Sequence, residues 1–219
     1  MRGKVRLQLG NIPQVEGPSP EALGWRAICS PRARRVYWLA ALVGLVLLTG
    51  LCAGLGTWSL ALGNTGGATA NDAASPWVVT LVVLASYIPL HELLHLLGQP
   101  GWGRSDRSMV VLWPAKLRFG VYYEGCMSRR RWLGMRLAPL VVLSVLPACA
   151  LALGQVQPLS PDVEVGLSVL MVANTLGSGG DVIAAILVLR QVPSTASLCF
   201  QAGRAYWRPA QPVAGANLQ

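Results

Sequence analysis

The sequence lacks charge. Only 12% of its 219 residues are charged, where a soluble domain carries about a quarter, and 53% are hydrophobic, with a mean hydropathy of +0.48. That excludes an ordinary water-exposed surface. Acidic groups are scarce too, with nine Asp and Glu in all. The five cysteines, Cys29, Cys52, Cys126, Cys149 and Cys199, are odd in number and form no C-x-x-C, so neither a disulfide framework nor a thiolate metal site is expected. The first 35 residues are polar and rich in Pro and Gly, and no cleavable signal peptide is expected there. No internal repeat is visible.

What the chain does have is four long apolar runs, Tyr37–Leu62, Trp77–Leu97, Leu137–Gly154 and Val163–Leu189. Each is near or above the roughly 18–20 residues that cross the hydrocarbon as a helix; the third is the shortest. The Lys and Arg residues avoid two of the connections. They lie before the first run, between the second and third, and after the fourth, while 63–76 and 155–162 hold none. The positive-inside rule then places both termini in the cytoplasm. The net charge of +9 is explained by this topology and by anionic headgroups, so nucleic acid is not an expected partner and membrane lipid is. Trp38, Trp58, Trp77, Trp102 and Trp132 mark the ends of runs, where indole rings prefer the interface.

The expected architecture is an all-α membrane protein of about four transmembrane helices, 36–193, with a loosely ordered cytoplasmic arm, 1–35, and a polar, disordered tail, 194–219. The connection between the second and third helices is the longest. Its segment SMVVLWPAKLRFGVYYEG alternates as two strands around a turn at Pro114-Ala115, predicting a small cytoplasmic β-hairpin. Strand edges near Val110 and Val121 could pair with an extended peptide. Gly50 and Gly54, in GLCAG, read as a small-x-x-x-small surface for close helix packing.

The only two histidines, His91 and His95, fall inside the second apolar run with Glu92 between them, in SYIPLHELLHLLGQP. Positions i and i+4 share a helix face, so both imidazoles can reach one ion while Glu92 reaches water beside it. A shuffled chain of this composition places His-Glu-x-x-His with a probability of roughly two in ten thousand. Ionisable groups inside a span are costly, and a shared divalent cation offsets that cost better than plain packing does. Zinc is the expected cofactor, with Glu92 as general base.

A catalytic zinc takes three protein ligands. Among the carboxylates, only Glu92 and Asp181 lie well inside apolar runs, Glu164 being at the very start of the fourth. His91 lies about 12 Å of helix from Gln99, near the cytoplasmic end of the second helix, and Asp181 about 13–14 Å from Arg190, at that end of the fourth, so the two match in depth. Gly177, Gly179 and Gly180 would let that helix bend or be approached closely. Asp181 is therefore the expected third ligand. It could instead be a structural carboxylate paired with Arg136, and Glu124 is the runner-up ligand. Asn174 could orient a ligand, bind a substrate carbonyl or simply bridge two helices. Pro89 and Pro139 would loosen their helices locally.

Through HELLHLL, the basic hairpin loop, RLAPLVVLS and NTLGSGGDVIAA, the chain resembles the putative zincin peptidase family of bacterial multi-span proteins, a distant relative of the site-2 intramembrane metalloproteases. The resemblance covers roughly residues 75–195. It implies a zinc held by His91, His95 and Asp181 with Glu92 as base, in a bacterial plasma-membrane peptidase. Unlike site-2 proteases, the chain has no prolines between Asn174 and Asp181, and Val182 follows Asp181. The expected function is cleavage of membrane-associated peptide or protein substrates near the cytoplasmic side. The alternative is a non-proteolytic metal-binding scaffold or sensor. Substrate identity and oligomeric state are not legible.

Overall fold

The computed structural model describes residues 4–10, 19–29, 33–62, 76–114, 118–201 and 204–209. They belong to two compact units. One comprises 1–30, 96–135 and 185–219, and the other 31–95 and 136–184.

The second unit is helical. It draws on α1 (Ala33–Leu62), α2 (Pro76–Gly98), the end of α3 (Arg129–Leu140), α4 (Leu146–Gly154), α5 (Pro161–Gly177) and the start of α6 (Gly179–Gln191). Between α3 and α4 the backbone widens into a π-helical turn, Val141–Val145. Prolines at 139 and 147 bracket that turn, and each removes an N–H from the helical ladder. Trp77–Gly98 and Arg129–Gly154 are long and apolar enough to cross a membrane. Helices α5 and α6 meet at a 47° bend and make a third candidate span if counted together. In α1 the described apolar stretch, Trp38–Gly54, is shorter. Apolar side chains on α2, among them Val78, Leu81, Val82 and Ile88, are exposed. A contiguous apolar surface of this kind suits lipid rather than water.

Helix α5 packs against α1, α4 and the π turn. The close approach does not use Gly50 or Gly54, where an added Cβ would meet nothing within 4 Å. It uses Gly44, whose Cβ would lie 2.7 Å from the Leu176 carbonyl oxygen, and Gly179, whose Cβ would lie 1.9 Å from that of Ala40. The expectation that Gly50 and Gly54 form the close-packing surface is therefore corrected: Gly44 and Gly179 do so instead.

The first unit holds two small sheets, which the expectation of one hairpin understates. Strands β3 (Ser108–Trp113) and β4 (Arg118–Tyr123) pair antiparallel, Ser108 opposite Tyr123 and Trp113 opposite Arg118. Ala115 of the expected turn lies outside the described residues. Strand β1 (Arg6–Leu9) adds parallel to β3, giving the order β1-β3-β4, so among the described residues β3 is central and, of the two hairpin strands, β4 is the edge. The N-terminal arm is thus partly ordered: the Lys4 N–H donates to Asp106, and Arg6 pairs with Glu124. The second sheet runs β2 (Arg26–Ala27), β7 (Arg204–Arg208), β6 (Ser197–Gln201), β5 (Cys126–Ser128). Its strands β6 and β7 occupy part of the tail expected to be disordered; the rest, from residue 210, lies outside the described residues. Strand register sets Cys126 opposite Cys199, and the two form a disulfide that was not expected. Both corrections have one cause: strands of two to five residues carry too little periodicity to stand out.

Met109, Val111, Trp132, Leu198 and Trp207 are buried in this unit. Trp132 is therefore a core residue rather than an interfacial one, whereas Trp38, Trp77 and Trp102 are exposed. The Trp58 side chain lies outside the described residues. Arg131 closes the end of α2, donating to the carbonyls of Gly98 and Gln99.

Candidate metal centre

The site is assembled in the helical unit from α2, α3, α5 and α6. Helix α2 presents His91 and His95 one turn apart, with ring centroids 4.8 Å from each other and planes at 82°. Glu92 joins them in a cluster whose ligand atoms lie within 4.8 Å of one another. From the first turn of α6, Asp181 extends Oδ2 to 3.1 Å from His91 Nε2 and 3.3 Å from His95 Nε2. His95, at 5% exposure, and Asp181, at 7%, are buried. The bend at Ser178 brings this about, because it turns the start of α6, and Asp181 with it, away from the line of α5.

The second carboxylate oxygen, Oδ1, accepts from Arg136 at 2.9 Å. The ion pair weighed as an alternative to ligation is therefore present together with the imidazole contacts, each using its own oxygen. Glu124, the runner-up ligand, is engaged instead by Arg6.

Asn174, fully buried, fixes the tautomer of His91. Its Nδ2 donates to the Pro139 carbonyl at 2.9 Å and to Ser144 Oγ at 2.8 Å. A carbonyl only accepts, so the amide orientation is determined and Oδ1 faces His91 Nδ1 at 2.8 Å. Nδ1 must then carry the proton. In neutral His91 this leaves Nε2 with its lone pair directed at Asp181 Oδ2. Two acceptors that close require something positive between them. Ser144, which completes the amide's bonding, was missed in the sequence. Its signal was that it is the sole hydroxyl in Leu137–Gly154.

The donors fit zinc. Bonds of about 2.0–2.2 Å to imidazole nitrogen and carboxylate oxygen in a tetrahedral site imply ligand-to-ligand edges of about 3.3–3.5 Å, close to the two distances observed. Two nitrogens and one oxygen leave the fourth position open, and Asn174 supplies the outer hydrogen bond usual for a ligating histidine.

Fold and site together define a membrane protein that carries a His-Glu-x-x-His cluster on an apolar helix. The chain belongs to the putative zincin peptidase family, whose model matches residues 84–197 and so takes in α2 from Leu84 onward, the hairpin, the bend and Asp181. No curated protein and no solved structure matches it.

Proposed function

We propose that the chain is a membrane-embedded zinc metallopeptidase that hydrolyses peptide bonds of membrane-associated substrates near the cytoplasmic side. The observation that carries this reading is the convergence of Asp181 Oδ2 on both Nε2 atoms, at 3.1 and 3.3 Å, from a different helix. His91, His95 and Asp181 would hold the zinc. A zinc ion there supplies Lewis acidity, acidifying water and polarising a carbonyl. Glu92, adjacent to His91 and not a ligand, takes the proton from water as general base. Asn174 keeps the Nε2 lone pair of His91 turned inward, and Arg136 holds the far oxygen of Asp181 so that one oxygen is presented to the ion. The membrane arrangement is read as four spans, with α1 as the first and the bent α5–α6 pair as the last, and with both termini cytoplasmic.

Elemental analysis of the purified protein tests the metal. Wild type is expected to carry zinc near one equivalent and His95→Ala to lose it. Glu92→Gln separates a peptidase from a metal-binding scaffold: zinc stays, and cleavage of an apolar quenched-fluorescence peptide falls by about 10²-fold or more. A Glu92→Gln variant that cleaves like wild type would end the peptidase reading.

A further inference from the structure

Helix α2 carries a third polar side chain on the histidine face. Tyr87 precedes His91 by four residues and His95 by eight, so the three form one stripe. Its ring is half-buried. Its hydroxyl lies against Gly177, where an added methyl would sit 3.0 Å from it. Gly177 stands between Asn174, which holds His91 Nδ1, and Asp181, which approaches His91 Nε2. The phenol is thereby carried alongside the segment that grips His91. The hydroxyl makes no hydrogen bond among the described residues.

We propose that Tyr87 is a further catalytic residue, whose hydroxyl donates a hydrogen bond to the scissile carbonyl oxygen as that oxygen gains negative charge. This inference rests on the peptidase reading above. A peptide carbonyl attacked beside Glu92 develops charge that water cannot solvate inside an apolar helix bundle, and a neutral donor on the same helix face answers that need. The phenol suits the task, because it donates without bringing a charge into the span. Asn174 is unsuited to it, since both ends of its amide are already bonded. Gly177 supports the same assignment: any larger residue there would press on the hydroxyl.

Tyr87→Phe removes the donor and keeps the ring packed. Expected are unchanged zinc content, a fall in kcat of about 10²-fold on the quenched-fluorescence peptide, and KM within about twofold. Binding of a phosphinic pseudopeptide, followed by calorimetry, is expected to weaken about tenfold or more, because that probe presents the charged oxygens of the reacting carbonyl. Gly177→Ala, which keeps the phenol and displaces it, should shift both readouts in the same direction by less. Unchanged kcat and unchanged phosphinic affinity in Tyr87→Phe would overturn the assignment while leaving the peptidase reading intact. A zinc-loaded wild type that neither cleaves the peptide nor binds the phosphinic probe would strike the peptidase reading itself, and Tyr87 with it.

Discussion

At the scale of single residues, the centre depends on which nitrogen of His91 carries its proton, and Asn174 decides that. The Pro139 carbonyl and Ser144 Oγ both take Nδ2, at 2.9 and 2.8 Å, so only Oδ1 remains for the imidazole. Asn174→Ala should therefore leave all three proposed ligands in the chain and still lower zinc affinity by about 10–100-fold, measured by competition with a chromophoric chelator. Unchanged affinity would show that the histidine is held by its own helix alone. The sequence disclosed the histidines and Asp181 because spacing and scarcity are visible in one dimension. The direction of Asn174 was not visible. An amide donates and accepts equally well, and its partners are a backbone carbonyl and a serine some thirty residues away in a different helix.

At the scale of helices, the bend between α5 and α6 delivers Asp181, and the bend is seated on α1. A Cβ at Gly179 would lie 1.9 Å from the Ala40 carbonyl oxygen, and backbone cannot swing aside as a side chain does. Gly179→Ala should destabilise the protein by about 1–3 kcal/mol and loosen zinc, since Asp181 follows two residues later. Gly50→Ala meets nothing within 4 Å and should be neutral or stabilising by up to about 1 kcal/mol. Thermal unfolding of the two variants in the same detergent checks the contrast. The apolar runs announced the helices well. The run expected to be the shortest, Leu137–Gly154, extends back to Arg129, because arginines at the start of a span suppress the hydropathy signal without breaking the helix. Which glycines touch a neighbour depends on helix rotation, and glycine spacing alone does not encode that.

At the scale of the whole molecule, charge and sulfur pull toward opposite sides of the membrane. The topology proposed from the basic stretches puts 98–136 and the residues after Arg190 on the cytoplasmic side, and Cys126 and Cys199 lie in those stretches. Their disulfide belongs to an oxidising compartment, because cytosolic thiols are kept reduced outside hyperthermophiles. Strand register makes the pairing compatible with the proposed topology. Directly opposed residues on antiparallel strands have Cβ atoms only about 4.5–5.5 Å apart, so β5 and β6 hold the two thiols together whether or not a bond forms. In intact cells quenched with a membrane-permeant maleimide, both cysteines should be alkylated, and a cysteine introduced at Gly66 should react with an impermeant reagent from outside. The pair should oxidise once the purified protein meets air. A pair found bonded in the quenched cells, together with a Gly66 cysteine reached only from the cytoplasm, would invert the topology. It would carry the sheets to the outer face and take the proposed cytoplasmic-side cleavage with it.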